Sequence, residues 1–407
     1  MRSERKVRCT AVTALCLLGV GLTGATQAQA AHPRPSALAT ADLNGDGRPD
    51  LAVADAGTHT VWIFLNTPSG LPGTPDHTLA GTRANPLRSP QAIAAGDFND
   101  DGWVDLAVTN HRGRSVSIFL GNGDGTFAGP TNYTVRSSPR GIATGQFHKN
   151  TTQNLDLVVV DSGKLQVLTG HGDGTFTAGA PIGPIGRLPQ QVAVGDFLKP
   201  GSQPPALDGY DDVAVTLKGE DRVAVLWGDG DGNLTGLVKY ASDRGGRGIV
   251  AAHLSSTTYL DLATANHRGS GVNTIALLPA NPTSGGFANG MAIAQDLSYP
   301  NLLVAGNFSG RADGKMDLAV TDTGGSGTTH DKLVVLRNDI APPSYAFTQV
   351  AACDAGDGPS SVVTADFNGD GVPDFAVGNS VSDDVSIITG SVVGGVYHCS
   401  TPTQIGE

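Results

Sequence analysis

Nine residues, Asp97-Phe98-Asn99-Asp100-Asp101-Gly102-Trp103-Val104-Asp105, place acidic or amide oxygens at positions 1, 3, 5 and 9 and a glycine at position 6. Hard oxygens spaced around a sharp turn suit Ca²⁺. The pattern returns at residues 42–50 and 366–374. The expected side-chain ligands are Asp42, Asn44, Asp46 and Asp50; Asp97, Asn99, Asp101 and Asp105; and Asp366, Asn368, Asp370 and Asp374. Position 7 is expected to contribute a backbone carbonyl, from Arg48, Trp103 and Val372, which explains why its side chain varies so widely. An EF-hand shares the opening spacing but needs a bidentate Glu at position 12 and flanking helices. Position 12 is Val53, Val108 and Val377, each in a β-like run, which excludes that reading. The remaining alternative is an Asx-rich turn without metal. Three near-identical copies in register favour the ion.

Four further copies are degraded. One keeps Asn307, Ser309, Asp313 and Asp317 in a loop two residues longer. Another keeps Asp196, Asp208 and Asp212 around an insertion. These two are weaker metal candidates. Gln146-Phe147-His148-Lys149 retains only Asp156, and His253-Leu254-Ser255 retains only Asp261. One carboxylate does not hold a divalent ion, so these two are expected to be empty. The count expected is about three Ca²⁺ with a structural role, because converging carboxylates repel without a cation.

The elements that position these loops recur with them. The last Asp of each copy (Asp50, Asp105, Asp156, Asp212, Asp261, Asp317 and Asp374) opens a short apolar run such as Asp105-Leu-Ala-Val. A small-residue run precedes each loop, as in Ala94-Ala95-Gly96, and two more β-like runs follow, the third often entering a Gly-Asp-Gly turn. Four short antiparallel strands repeated seven times, at steps of about 50 residues, predict an all-β fold, a seven-bladed β-propeller of four-stranded antiparallel blades. The blades are expected near 37–81, 91–135, 140–182, 190–241, 247–295, 301–351 and 360–399, within one domain of residues 31–407. The small residues fit a crowded innermost strand.

Residues 1–30 read as a secretory leader: Arg2, Arg5, Lys6 and Arg8, then an apolar core from Ala11 to Leu22, then Ala28-Gln29-Ala30, with cleavage expected after Ala30. A core of about 12 residues is too short to span a bilayer. Removing the leader takes the formal charge from −12 to −15, which disfavours nucleic acid as a partner. Cys353 and Cys399 remain; in an exported protein they are expected to pair, with two buried thiols as the alternative. They fall in the expected last strands of blades six and seven, so a bond would tie two outer strands at the closure of the ring.

The Asp-x-Asn-x-Asp-Gly-x-x-Asp loops, the Gly-Asp-Phe lead-in and the Gly-Asn-Gly-Asp-Gly-Thr-Phe turn resemble FG-GAP/VCBS repeats, over about residues 37–399. Those repeats build the seven-bladed propeller of integrin α-subunits and of many secreted bacterial proteins. The resemblance implies Ca²⁺ on one face of the propeller and partner binding on the other. It does not choose a function, because adhesion modules, lectins and some polysaccharide-active enzymes share the fold.

On the face opposite the Asp-rich loops, Asn110-His111-Arg112-Gly113 recurs as Asn266-His267-Arg268-Gly269. Arg88, Arg140, Arg187 and Arg247 fall at or just before first strands. Together with His111, Arg112, His267 and Arg268 they predict a positive depression for carboxylates or sulfates of a glycan, or for acidic side chains of a protein. The alternative is arginines that pair with neighbouring Asp at blade edges. No Gly-x-Ser-x-Gly, His-Glu-x-x-His or phosphate loop is present, and Glu220 and Glu407 are the only glutamates after the leader. The expected function is a secreted, monomeric, non-catalytic recognition module. A lectin for acidic glycans comes second and a polysaccharide lyase or hydrolase third.

Overall fold

The computed structural model describes residues 32–148, 154–201, 205–267, 273–324, 331–341 and 344–406. The expected leader lies outside the described residues, as does Arg268.

Each blade starts from a strand too rich in Ala, Gly and Val to need space, and these strands stand at the axis. They are Pro35–Ala41, Pro90–Gly96, Gly141–Gly145, Pro189–Gly195, Gly246–Ala252, Pro300–Gly306 and Pro359–Ala365. Ala39, Ala94, Ala95 and Ala305 line an axial space of about 420 Å³. Each second strand opens on the repeating Asp: Asp50–Asp55, Asp105–Asn110, Asp156–Val160, Asp212–Leu217, Asp261–Asn266, Asp317–Asp322 and Asp374–Asn379. Every residue of these strands is buried, because each is covered by a blade on either side. The result is seven sheets of four antiparallel strands, the all-β seven-bladed propeller the sequence predicts.

One difference appears in blade seven. The segment around Cys399 is not its fourth strand. Gly390–Val393 and Val396–Cys399 form a separate hairpin, and Thr403–Ile405 takes the fourth position beside Asp384–Ile388. The hairpin interrupts the ladder because Gly394 and Gly395 turn the chain back at positive φ, 61° and 76°. Cys399 does bond Cys353, so the disulfide ties the outer strand of blade six, Phe347–Asp354, to this hairpin.

Seven apolar clusters fill the seven gaps between adjacent blades. Each receives the residue at position 2 of one Asp loop: Leu43, Phe98, Phe147, Phe197, Leu254, Phe308 and Phe367, all at most 4% exposed. Burying each contributes about 1.5–3 kcal/mol before cavity effects. The Gly of Gly-Asp-Phe follows from this plug. A Cβ on Gly96 would meet Leu155 Cδ1 at 2.7 Å and the Phe98 ring at 3.1 Å.

Candidate functional site

The ninth-position Asp is fully buried in blades one to five and seven and nearly so in blade six. Its two carboxylate oxygens divide between two strand ends. Asp105 Oδ2 accepts from Phe98 N at 2.7 Å and Oδ1 from Gly121 N at 2.8 Å. Asp50 accepts from Leu43 N and Asn66 N at 2.8 and 2.7 Å. Asp374 accepts from Phe367 N and Gly390 N at 3.0 and 2.8 Å. The same staple forms in the blades that lost the rest of the motif, where Asp156 accepts from Phe147 N and Gly170 N and Asp261 from Leu254 N and Ala280 N. Asp212 and Asp317 repeat it. A buried N–H without a partner costs about 1–3 kcal/mol, so this Asp has a structural reason to persist where the rest of the motif is gone.

The other ligand candidates wrap the turn. Asp42 Oδ1 accepts from Gly45 N at 2.7 Å and its Oδ2 from Gly47 N at 2.8 Å. Asp366 does the same for Gly369 N and Gly371 N, and Asp97 accepts from Asp101 N and Gly102 N. Asn44, Asn99 and Asn368 each accept from the backbone N–H two residues on. Asp46, Asp101 and Asp370 accept from the N–H of Arg48, Trp103 and Val372. Among the described residues no three carboxylate, imidazole or thiolate groups are gathered as a ready cation cage. The donor set still fits a hard cation in kind. Burial pushes Asp50, Asp105 and Asp374 each up to about 6, and neighbouring loop carboxylates such as Asp46, Asp101 and Asp370 push the same way. A cation among them would relieve that repulsion.

The degraded loops carry their own donors. In blade four Lys199 Nζ lies 3.0 Å from Asp208 Oδ2 and 3.1 Å from the Gly228 carbonyl. Asp196 there accepts from Asp208 N and Gly209 N. In blade six Arg311 and Arg337 pair with Asp339, Lys315 Nζ donates to the Ile340 carbonyl, and Asn307 donates to the Arg311 carbonyl. Asp313 accepts from Lys315 N, and Ser309 is buried. In blade three His148 Nδ1 contacts Asp156 Oδ2 at 2.9 Å, and in blade five Ser255 Oγ donates to Asp261 Oδ1 at 2.9 Å.

A second role of this face is legible only in three dimensions. Gly125 N, in the Gly-Asp-Gly turn of blade two, donates to the Leu43 carbonyl of blade one at 3.1 Å. Gly174 N donates to the Phe98 carbonyl and Gly232 N to the Phe147 carbonyl, both at 2.9 Å. Each of these three Asp loops is therefore bonded to the third-to-fourth-strand turn of the next blade. Close approach demands the glycine: Gly125 has φ +82°, and a Cβ there would meet Leu65 at 2.7 Å. The recurrence of Gly-Asp-Gly was the sequence signal for this contact.

On the opposite face the first strands begin, five of them at a buried proline. The residue that follows each start, or stands just before the strand in blade three, faces the axis: Ser36, Gln91, Arg140, Gln190, Arg247, Asn301 and Ser360, one from every blade. They line a cup of about 130 Å³. Of the predicted ligand residues that are described, only Arg140 and Arg247 line it. Arg88, Arg112 and Arg187 are exposed on the loops around it. His111 Nδ1 contacts the Pro139 carbonyl at 3.2 Å, and the His267 ring lies 4.2 Å from Tyr299. Blade-edge pairing holds for Arg244, which meets Asp221 at 3.3 Å. The amides and hydroxyls of the cup were missed, although a polar residue after a proline recurs at six of the seven first strands.

The comparisons bear on the loops. Residues 42–108, 97–148 and 312–377 match the model of the FG-GAP-like repeat, and residues 358–398 match that of the FG-GAP repeat. The chain carries FG-GAP repeats. No curated protein matches this sequence. Solved structures similar to this FG-GAP propeller include BBS1N in complex with ARL6DN, soaked with lead, at 13% identity and TM-score 0.55, covering 90% of this chain and 91% of that one. An Agrocybe aegerita lectin with specific recognition of non-reducing terminal N-acetylglucosamine is 14% identical at TM-score 0.51, covering 92% and 90%. A catalytically inactive virginiamycin B lyase from Staphylococcus aureus with quinupristin is 14% identical at TM-score 0.51, covering 86% and 94%. At these identities the likeness is one of fold.

Proposed function

We propose that this FG-GAP propeller is a secreted, non-catalytic recognition module that binds its ligand on the face where the first strands begin. The observation that supports it most is the seven-blade polar cup with two arginines and no carboxylate in its lining, on a chain of formal charge −12. The ninth-position carboxylates shifted most strongly upward, those of Asp50, Asp105, Asp212 and Asp374, are held by backbone N–H groups at the far ends of the first strands, away from that cup. This leaves the propeller face to binding. Among the described residues no helix is long and apolar enough to cross a membrane. The leader and the disulfide support export.

In this reading Ca²⁺ rigidifies the opposite face. Asp42, Asn44, Asp46, Asp50 and the Arg48 carbonyl would hold one ion. Asp97, Asn99, Asp101, Asp105 and the Trp103 carbonyl would hold a second, and Asp366, Asn368, Asp370, Asp374 and the Val372 carbonyl a third. The ion's contribution is charge neutralisation. In blade four Lys199 stands beside Asp208 instead, and the count proposed is three.

The test is binding to arrays of glycans and of extracellular proteins, repeated with Arg112, Arg140 and Arg247 exchanged for Ser. Loss of the signal is expected; a signal that survives all three exchanges would overturn the assignment of the face. A lectin is the second reading, favoured by the amide and hydroxyl lining of the cup.

A further inference from the structure

Arg140 and Arg247 sit on blades three and five, with Lys218 of blade four close enough to feel both charges. None of the ion pairs among the described residues involves any of the three. Arg247 Nε is buried and has no hydrogen-bond partner, though a buried donor of this kind ordinarily finds one. Burial holds the Arg247 guanidinium below its ordinary range, and Lys218 is lowered by burial and by Arg247 and Arg140. Two cations thus line one side of an axial cup on an acidic chain, a third stands near them, and one buried donor has no partner.

We infer that the cup is a binding site for the carboxylate of an acidic sugar, seated between Arg140 and Arg247. The inference rests on the recognition-module reading and names its ligand class. Guanidinium forks match the two oxygens of a carboxylate. The rest of the lining selects what carries it. Gln91, Gln191 and Asn301 each offer donor and acceptor atoms, as sugar hydroxyls require, Gln190 offers its amide oxygen, and Leu302 is the one apolar side chain among the lining residues. An acidic peptide would bring apolar neighbours with nothing here to cover them. A volume of about 130 Å³ admits the charged end of a sugar and leaves the remainder of a chain outside.

The experiment is calorimetric titration of the purified protein with glucuronate and galacturonate, against glucose and an Asp-rich peptide. Arg140→Gln and Arg247→Gln follow, each checked by its melting curve; Arg140 is exposed, so its exchange spares the core. The expected result is a Kd on the order of 1 mM for a uronate, weakened roughly tenfold or more in either variant, with no heat from glucose. Uronate binding unchanged in both variants overturns the site. Equal binding of glucose, or binding of the peptide alone, overturns the ligand class. If uronates fail while an array ligand is captured through Arg112, only this inference falls. If no array ligand depends on that face, the recognition reading falls with it.

Discussion

Asn66 Nδ2 donates to the Phe367 carbonyl at 2.8 Å across 301 residues of sequence. It is the contact by which blade one holds the Asp loop of blade seven, the counterpart of Gly125 on Leu43. No strand is exchanged at the junction, since Thr403–Ile405 pairs within its own blade. Closure rests on this bond, on the Gly406 N–Gly73 carbonyl bond and on the apolar cluster around Trp62, Phe64 and Ile405. Asn66→Ala should therefore destabilise the fold by about 1–3 kcal/mol, read by urea unfolding. A change near zero would show that the apolar cluster closes the ring unaided.

The buried Asp staple predicts a contrast between blades. Asp156→Ala and Asp105→Ala each orphan two buried N–H groups and should each cost about 2–5 kcal/mol. Only the Asp105 loss should grow in millimolar Ca²⁺. Unfolding with and without the ion checks it; equal responses would mean that the ion does not use Asp105.

Calcium itself should raise the melting temperature relative to EDTA, with about three ions per chain by metal analysis, since extracellular modules bind at about 10⁻⁴ to 10⁻³ M. Lys199→Ala should not lower that count. No bound metal and no shift would reduce the loops to Asx turns closed by their own N–H groups.

Asp212 provides a pH test away from the three proposed ion loops. Burial pushes its carboxyl up to about 8 from 3.8. Between those values the folded chain keeps a proton that the unfolded chain has lost, so this group's contribution to stability falls as pH rises, by about 1.4 kcal/mol per pH unit. Below 3.8 both states hold the proton and the slope vanishes. Asp212→Asn should flatten the stability profile between pH 5 and 8; an unchanged slope would place the titration elsewhere.

Breaking Cys353–Cys399, which closes 46 residues, should cost about 2–4 kcal/mol. Because the bond anchors the 390–399 hairpin rather than a ladder strand, the loss should appear first as local exposure of that hairpin in hydrogen exchange. Simultaneous opening of the fourth strand at 403–405 would contradict the separate-hairpin geometry.

Blade number, the Asp that opens each second strand, the small inner residues and the cysteine pair were legible in the sequence, because each is a local pattern copied at a fixed period. Asp50, Asp105 and Asp374 stood out as ligand candidates by spacing alone. Their tie to Asn66, Gly121 and Gly390 was not legible, because a hydrogen bond between strand ends depends on the closed turn and not on neighbouring letters. The hairpin before Thr403 was hidden for a similar reason: two short alternating runs read equally well as a blade's last strand until the ladder chooses one. The polar cup was the furthest from view. Its seven side chains are separated by about 50 residues each and become neighbours only because the closed ring brings every first strand to one axis.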